Sequence, residues 1–356
     1  MIRIVLTGGG TSGHVTPNIA LVPELSKIGY DISYIGSRNG IEKELVEKVG
    51  VAYYSINTGK LRRYFDLKNI TDIFRVADGL RQAYFLLGRL KPDIVFSKGG
   101  FVSCPVVWAA WLRKIPVVIH ESDMTPGLTN KLSIPFAKKV CYTFPESARY
   151  ITKEKGVLTG IPIRGSLLSG NKNEGGKLCG FTDSKPVIAV IGGSLGSEKI
   201  NGIVRNVLQS LLKDFNVCHI CGKGNVKPEF NGTGGYKQFE YLADGLPHIF
   251  ALADMVVSRA GATVLFELLA LKKPNLLIPL SRAASRGDQI LNAQSFEKRG
   301  FSRVLPEEEL DERTFLTHIA GLYNMKGAYS EVMGHSDAAG GISAIIKVIE
   351  DSRKRR

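Results

Sequence analysis

The sequence predicts a doubly wound α/β fold made of two Rossmann-like domains that face a cleft. Short β-branched runs alternate with helical patterns, glycine-rich turns follow several of these runs, and one such turn occurs twice. The chain has 356 residues, of which 39 are glycine. This length exceeds what a single hydrophobic core usually holds, so two domains are expected.

Seven apolar runs have the length and composition of buried β-strands. They are almost continuously apolar, which is typical of parallel strands that are covered on both faces. Helical patterns lie between them, as parallel connections require. The runs span residues 2–6, 32–35, 94–96, 117–119, 187–191, 255–257 and 276–278.

The glycine-rich turn after the first strand recurs in the second half of the chain. Gly9-Gly10-Thr11-Ser12-Gly13 reappears as Gly192-Gly193-Ser194-Leu195-Gly196, and each copy opens a helical pattern. The offset of 183 positions from Gly9 to Gly192 also separates Asn18 from Asn201. Equivalent loops at equivalent places predict two similar halves with a cleft between them.

The domain boundary is expected in the stretch from Gly156 to Gly180, which contains Pro162 and a polar run at 171–177. We expect residues 1–162 with 336–356 to form one domain and residues 163–335 to form the other. The return of the C-terminus to the first domain is predicted by a helical stripe of isoleucines. These are Ile342, Ile345, Ile346 and Ile349.

Composition limits the kinds of partner and the cellular location that we expect for this protein. Lysine and arginine outnumber the acidic residues by 47 to 33, which favours a nucleic acid, a nucleotide or an anionic membrane as partner. Five scattered cysteines suit a reduced cytoplasmic location, and Cys218 and Cys221 lack the further ligands of a zinc site. We expect no cleavable leader and no membrane span, so any membrane contact is peripheral.

The glycine loops and a third segment favour nucleotide binding, because glycines at helix N-termini let an anion approach unpaired backbone N–H groups. The third segment, Ser258 to Thr263, starts a helix that carries Glu267, a carboxylate suited to ribose hydroxyls. A solvated helix surface explains Glu267 equally well. Asp288, Gln289 and Asn292 lie on neighbouring turns of a later helix and suit sugar hydroxyls.

Two other functions are open at this point. The first loop satisfies G-x-G-x-x-G through Gly8, Gly10 and Gly13, and Arg38 ends the second strand where an acidic residue would bind NAD, so an NADP-dependent oxidoreductase is one alternative. A non-catalytic nucleotide-sugar or nucleic-acid binding protein is the other, favoured by charge. Both leave the duplicated loop unexplained.

Seven motifs in order along nearly the whole chain resemble the MurG family of glycosyltransferases, and the combination is far more specific than any one glycine loop. The resemblance implies a GT-B architecture and inversion at the anomeric carbon. It implies a C-terminal half that binds UDP-N-acetylglucosamine and an N-terminal half that binds a lipid-linked acceptor. The motifs are Gly9 to His14, Gly99 to Ser103, His120-Glu121, Gly127 to Lys131, Gly192 to Gly196, Arg259 to Ala262, and Asp288-Gln289 with Asn292.

Carried over residue by residue, the resemblance implies that Ser194 contacts the diphosphate, Glu267 the ribose, and Asp288 and Gln289 the sugar. Arg164 and the region of Leu242 would hold the uridine end. Phe101 stands where the family often has tyrosine. The further donor-side positions are Arg259, Gly261, Ala262 and Asn292, and those of the acceptor and phosphate side are Gly10, Thr11, Ser12, Gly13, Phe101, Asn130 and Asn201.

An inverting displacement needs a base for the acceptor hydroxyl and stabilisation of departing UDP. His14 is the first choice for the base, because the positive field of a helix N-terminus favours the neutral imidazole. His120 and Glu121 compete for that role. The chain contains no D-x-D motif, so we expect no metal and no cofactor, and the leaving-group charge falls on helix N-termini.

The helical segment before Arg89 carries a core stripe of Ile73, Val76, Leu80, Tyr84 and Leu87. A flank beside it combines basic and aromatic residues, which suits either solvent or an anionic leaflet. The family acts on an undecaprenyl-diphosphate-linked muramoyl-pentapeptide, which favours a peripheral site at the cytoplasmic face of the membrane and no nucleic acid. The flank consists of Phe74, Arg75, Arg81, Phe85 and Arg89.

Overall fold

A computed structural model of the chain describes residues 1–59, 68–193, 195–285, 287–336 and 341–354, with side chains for all of these except Ser12 and residues 68–73. The chain divides into two compact units, residues 1–164 with 340–356 and residues 165–339. Each unit contains a parallel β-sheet with helices packed on it. The predicted doubly wound α/β fold class is confirmed.

The sheet of the first unit has seven strands within the described residues. They are β1 (Ile2–Thr7), β2 (Tyr30–Ser37), β3 (Ala52–Ile56), β4 (Ile94–Ser97), β5 (Val117–Glu121), β6 (Lys139–Tyr142) and β7 (Gly156–Leu158). All neighbours pair in parallel in the order β3-β2-β1-β4-β5-β6-β7. The strand order reverses between β1 and β4, and such a switch point is where open α/β sheets bind ligands.

Helices cover both faces of this sheet because alternate residues of each strand point to opposite sides. Val5 of β1 packs with Val106 and Leu87 on one face, whereas Ile4 and Leu6 pack with Leu21 on the other. Buried side chains on both faces explain why the strands are almost continuously apolar. The helices are α1 (Ser12–Lys27), α2 (Ile41–Glu47), α3 (Lys68–Leu90), α4 (Ser103–Leu112) and α5 (Leu128–Ser133).

The second unit repeats this arrangement with six strands within the described ranges, in the parallel order β10-β9-β8-β11-β12-β13. They are β8 (Val187–Ile191), β9 (Asn216–Ile220), β10 (Tyr236–Phe239), β11 (Met255–Ser258), β12 (Asn275–Leu277) and β13 (Arg303–Val304). The order reverses between β8 and β11. The helices are α6 (Lys172–Cys179), α7 (Glu198–Asn206), α8 (Leu208–Asp214), α9 (Leu246–Leu252), α10 (Ala262–Ala270), α11 (Asp288–Lys298), α12 (Glu312–Asn324) and α13 (Lys326–Gly334).

The last helix, α14 (Gly341–Ser352), belongs to the first unit although it follows the whole second unit in the chain. Ile345 and Ile349 are fully buried in the core of the first unit with Leu21 and Phe96. Lys138 Nζ donates to the Ser352 carbonyl at 3.0 Å and fixes the end of the helix. The isoleucine stripe therefore lies against the first sheet.

Two details differ from the sequence-based expectation. Both ends of the expected linker are regular structure: β7 pairs with β6, and α6 is capped by Asn171, whose side chain accepts hydrogen bonds from the backbone of residues 173 and 174. In α3, Tyr84 is 37% exposed and lies under the guanidinium of Arg113, 4.1 Å from the ring centre. Ala83, which is fully buried, takes the place in the core stripe that Tyr84 was expected to hold.

Candidate functional site

The sequence-predicted residues collect at the carboxyl ends of the strands in each unit. In the first sheet, the loop at Gly8 to Gly13 follows β1, Phe101 lies beyond β4, and His120 and Glu121 end β5. In the second sheet, the repeated loop follows β8 and Arg259 follows β11. Because parallel strands present their carboxyl ends at one edge, each unit has one candidate ligand-binding edge.

The first glycine loop packs against Glu42 and Phe101 of the same unit. The carboxyl group of Glu42, fully buried, accepts hydrogen bonds from the backbone N–H of Gly10 at 3.3 Å and of Ser37 at 3.0 Å. A Cβ atom on Gly9 would lie 2.6 Å from Glu42 Oε1, so a larger residue there would displace the Glu42 carboxyl group. Gly10 has a φ of +89°, and a Cβ on it would lie 2.7 Å from the ring of Phe101. The Gly10 amide thus already has an anionic partner.

His14 lies in the first turn of α1, half-buried, beside this loop. Its Nδ1 is 3.2 Å from both the Gly9 carbonyl oxygen and Thr11 Oγ1. A carbonyl oxygen only accepts, so the bond to Gly9 places the proton on Nδ1 and the lone pair on Nε2. Thr11 is the N-cap residue of α1 and is exposed, and the side chain of Ser12 lies outside the described part of the chain.

The other two candidate bases are buried. His120 is fully buried, and its Nε2 is bonded to the Gly160 carbonyl at 2.8 Å. Burial lowers the pKa of His120 well below its ordinary value, with the charge of Lys98 acting in the same direction. Among the described residues, its Nδ1 has no hydrogen-bond partner. Of the three candidates, His14 is half-buried, whereas His120 and Glu121 are buried.

Glu121 fastens the loop that follows β5. Its carboxylate accepts from the backbone N–H of Asp123 at 3.0 Å and of Gly127 at 3.1 Å, and from Asn130 Nδ2 at 2.8 Å. Burial and the neighbouring Asp123 raise the pKa of Glu121, whereas the hydrogen bond from Asn130 and the charge of Lys98 oppose this rise. Glu121 and Asn130 therefore shape the edge of the first sheet by holding the segment 121–130 in place.

The second glycine loop is more open than the first. Gly193 has a φ of +101°, and a Cβ on it would have nothing within 4 Å among the described atoms. Gly196 is tight by contrast, since its Cβ would lie 1.9 Å from the Cys221 carbonyl oxygen. The Cys221 carbonyl also accepts a hydrogen bond from Asn201 Nδ2 at 2.9 Å. Asn201 therefore fixes the backbone against which Gly196 packs. Ser194, the expected diphosphate contact, lies outside the described residues.

Arg259 is 8% exposed and joins three segments at the edge of the second sheet. Its guanidinium donates to Ser197 Oγ at 2.7 Å, to Glu307 at 2.5 Å and to the carbonyl of Ile278 at 3.1 Å. Burial would raise the pKa of Glu307, but the hydrogen bond and charge of Arg259 hold it below its ordinary value. Because these donors are directed at the protein, Arg259 positions the loops around it.

Helices α10 and α11 are tied to the same edge. Asn292 of α11, fully buried, donates to the Ala260 carbonyl at 3.3 Å, one residue before the N-cap Gly261 of α10. The side-chain oxygen of Gln289 accepts from Leu280 N–H at 3.1 Å. A Cβ on Gly261 would meet nothing within 4 Å among the described atoms, and α10 begins at the next residue, Ala262.

The remaining predicted positions lie in helices and loops of both units. Glu267 lies in α10 and is 8% exposed, and Asp288 begins α11 half-buried. Leu242 follows β10 and is half-buried. Arg164 is the last residue of the first unit, whereas the expected boundary placed it in the second, and its Nε is buried with no hydrogen-bond partner in the described ranges.

The expected membrane flank of α3 is exposed. Phe74 and Phe85 are 71% and 65% exposed, and Arg75, Arg81 and Arg89 are exposed beside them. Arg81 forms an ion pair with Asp78 at 2.9 Å. In the part of the chain that the structure describes, no helix has both the length and the hydropathy needed to span a bilayer.

Sequence reasoning missed three buried charged residues that shape these edges: Glu42, Lys98 and Glu307. Lys98 immediately precedes the motif Gly99-Gly100, and this adjacency was the one available signal. Glu42 belongs to an ordinary amphipathic pattern and Glu307 to an acidic run, both of which predict solvated side chains. Their roles arise from contacts with residues distant in sequence.

Family models and relatives agree on what the chain resembles. The model of the glycosyltransferase family 28 N-terminal domain matches residues 4–142, and that of the C-terminal domain matches residues 187–347. The chain is 57% identical over 354 residues to a protein of Clostridium botulinum (strain 657 / Type Ba4), covering 99% of this chain and 100% of the relative.

A protein of Clostridium tetani (strain Massachusetts / E88) is 56% identical over 348 residues, or 98% of this chain and 97% of the relative. Both relatives are named UDP-N-acetylglucosamine--N-acetylmuramyl-(pentapeptide) pyrophosphoryl-undecaprenol N-acetylglucosamine transferase. The crystal structure of MurG from Acinetobacter baumannii superimposes with a TM-score of 0.77 at 23% identity, covering 99% of this chain and 100% of that one, and so shows the shared fold. The chain belongs to glycosyltransferase family 28 and, within it, to the MurG family.

Proposed function

We propose that the chain transfers N-acetylglucosamine from UDP-N-acetylglucosamine to the muramoyl hydroxyl of an undecaprenyl-diphosphate-linked N-acetylmuramoyl-pentapeptide, with inversion at the anomeric carbon. The relatives' names support both substrates. The observation that carries the proposal is the edge of the second sheet, where hydrogen bonds tie the N-termini of α7, α10 and α11 around an open glycine loop. The first turn of a helix has backbone N–H groups without intrahelical partners, which suits a diphosphate.

On the donor side, the diphosphate binds at Gly193 and at the N-terminus of α10, where a Cβ would meet open space and oxygen atoms can approach the backbone. Glu267 accepts hydrogen bonds from the ribose hydroxyls. The Gln289 oxygen is used by Leu280 N–H, so its NH2 group is the one that donates to the sugar. Ser194, Leu242 and Asp288 complete the proposed donor set of the second unit. The assignment of Arg164 to the uridine end stays a prediction, since Arg164 belongs to the first unit.

On the acceptor side, His14 acts as the base. The Nδ1–H bond to the Gly9 carbonyl orients the ring, and Nε2 takes the proton from the muramoyl hydroxyl as the oxygen attacks the anomeric carbon. The bond from that carbon to the UDP oxygen breaks on the opposite face, which inverts the configuration. Backbone N–H groups of the second unit stabilise the negative charge on departing UDP, so no metal and no cofactor are needed.

Isothermal titration calorimetry with UDP and with NADPH tests the nucleotide. We expect saturable binding of UDP and no heat of binding with NADPH, because the family assignment decides against the NADP-dependent oxidoreductase. Turnover with a muramoyl-pentapeptide lipid acceptor then separates an enzyme from a non-catalytic nucleotide-sugar binding protein. Binding of UDP without any transfer of sugar would contradict the proposed reaction.

We also propose that the α3 flank contacts the cytoplasmic face of the cell membrane, with no nucleic-acid partner. Two largely exposed phenylalanines among arginines suit insertion at anionic headgroups. Vesicles with anionic lipid should bind the protein, and the double variant Arg75→Glu with Arg81→Glu should bind them at least several-fold more weakly. A matched double variant in the second unit, Lys223→Glu with Lys298→Glu, makes the same change in net charge at exposed positions. Equal loss in both variants would overturn the assignment to α3.

A further inference from the structure

Lys98 is a fully buried lysine that the proposed reaction does not use. It directly follows β4 and is 1% exposed. Its Nζ donates a hydrogen bond to Ser122 Oγ, just beyond the end of β5. Its Cβ is close enough to the first glycine loop that a Cβ on Gly8 would lie 3.2 Å from it. The side chain therefore runs from beneath the glycine loop to the segment 121–130.

The surroundings of Lys98 are rich in titratable groups. His120, Glu121 and Asp123 all lie at the end of β5 within electrostatic range of the ammonium group. His120 is neutral because of its burial, so the charges to be balanced are the two carboxylates. A buried carboxylate is costly unless it is paired or well hydrogen-bonded, and Glu121 is nine-tenths buried or more.

We propose that Lys98 is a positioning residue for the acceptor side of the site. Its ammonium group ties the loop after β4 to Ser122 and supplies the counter-charge that lets the Glu121 carboxylate hold Asp123, Gly127 and Asn130 in place. The segment 121–130 then forms a fixed wall beside the first glycine loop. The inference rests on the proposed transfer reaction, and it adds a residue that shapes the binding of the acceptor.

Lys98 acts through other residues, because its side chain is enclosed and does not reach a substrate. Glu121 accepts three hydrogen bonds as a carboxylate. A protonated Glu121 would carry an O–H donor among these donors, and the loop would lose at least one bond. Replacing Lys98 by the uncharged Lys98→Met, of similar shape, removes the counter-charge with little change in packing volume.

Removal of the Lys98 charge should shift the pH dependence of activity in a defined direction. The charge of Lys98 lowers the pKa of Glu121, so its removal raises that pKa further and the acid limb of activity should move to higher pH in Lys98→Met. Burial lowers the pKa of Lys98 itself to about 8 despite the opposing charges of Glu121 and Asp123. Wild-type enzyme should therefore show a basic limb near that pH, which Lys98→Met lacks.

Steady-state kinetics of Lys98→Met test the proposal. We expect the KM for the lipid acceptor to rise about tenfold, as for loss of one charged hydrogen bond, with a smaller change in kcat. The affinity for UDP should stay within about twofold, because the donor edge lies in the other unit. Lys153→Met, at an exposed position of the same unit, is the matched control and should behave as wild type.

A double-mutant cycle with Glu121→Gln isolates the coupling. If Lys98 acts through the Glu121 charge, Lys98→Met should change acceptor KM little in the Glu121→Gln background. Additive effects, or an unchanged pH profile in Lys98→Met, would overturn the proposal. Should Lys98→Met fail to fold, Ser122→Ala removes the other end of the hydrogen bond and should raise acceptor KM in the same direction.

Hydrogen exchange separates this inference from the proposed function. Amides of 121–130 should exchange faster in Lys98→Met than in wild type, whereas those of the second unit should not change. This measurement needs no turnover. Absence of transfer by wild type would refute the reaction alone, and unchanged exchange in 121–130 would refute the role of Lys98 alone.

Discussion

Gly10 and Gly193 occupy corresponding positions in two loops of the same pattern, and both have a positive φ, +89° and +101°. Their surroundings differ. The Gly10 amide donates to the buried carboxylate of Glu42, and the ring of Phe101 fills the space on its other side. Gly193 faces open space among the described atoms. A repeated sequence pattern thus has different surroundings in the two units.

The difference has an electrostatic consequence. A loop backed by a carboxylate is a poor place for a phosphate, since like charges repel at short range. The first loop is better suited to hold His14 and a neutral hydroxyl, and the second to hold a diphosphate. We therefore propose that the base lies beside the first loop and the leaving group at the second, and the interpretation of both loops as anion sites stays a prediction.

The largest expected effect comes from removing the base beside the first loop. His14→Ala should lower kcat by roughly 100- to 10,000-fold, the range typical of general base catalysis, and leave UDP affinity unchanged. Single-turnover kinetics and UDP calorimetry measure the two quantities. His335→Ala, at an exposed histidine of the second unit, is the control. Near-normal turnover of His14→Ala would remove His14 from the mechanism.

The next prediction concerns the hydrogen bonds of Arg259 at the edge of the second sheet. Arg259→Met removes the guanidinium from the buried Glu307 and leaves Lys199 Nζ, 3.4 Å away, as its ion-pair partner among the described residues. The change should cost about 2–3 kcal/mol in the free energy of unfolding, as for loss of a hydrogen bond to a charged group, and weaken UDP binding. Denaturant titrations that monitor the second unit measure the change in the free energy of unfolding.

The pH dependence of this network also has a sign. The lowered pKa of Glu307 stabilises the folded state above its ordinary pKa, and this contribution is lost as the pH falls through the lowered value. The loss of stability on acidification should thus be steeper in wild type than in Glu307→Gln. Equal slopes would show that the Arg259 pair contributes no pH-dependent stability.

A paired substitution compares the loops directly. Gly193→Ala should cost about 1–2 kcal/mol for the left-handed backbone and lower UDP affinity several-fold, because the methyl group enters the proposed diphosphate site. Gly10→Ala carries the same backbone cost and also displaces the ring of Phe101, so it should lose more stability with little effect on UDP. If both variants lose UDP affinity equally, the loops share one task.

Removal of divalent cations is expected to leave activity unchanged, which is the smallest of these effects. If the backbone of the second unit carries the leaving-group charge, full activity should persist in excess EDTA, and added Mg²⁺ should not raise it. Turnover measured after dialysis against EDTA checks this. Activity lost in EDTA and restored by a divalent cation would mean that the open loop does not suffice for departing UDP.

Local patterns were enough for much of the fold. The runs at 2–6, 94–96, 117–119 and 187–191 are strands β1, β4, β5 and β8, because strands buried on both faces have an apolar run that is visible without tertiary context. Strands β3, β6, β7, β9, β10 and β13 were not predicted, because they are short or carry polar residues that break the apolar run, such as Ser55 in β3, His219 in β9 and Lys237 in β10. Of these, β3, β7, β10 and β13 lie at an edge of their sheet within the described residues, whereas β6 and β9 are interior strands.

By itself, the sequence determined the fold class, the repeated loop and the family, because these depend on periodicity and on motif order along the chain. Only the tertiary structure decided which donors and acceptors are already paired. Glu42 bonds to Gly10 across 32 residues, Arg259 to Glu307 across 48, and Lys98 to Ser122 across 24. Such pairings form because strands that are distant in sequence end at the same edge of a sheet. The periodicity of a single segment does not indicate them.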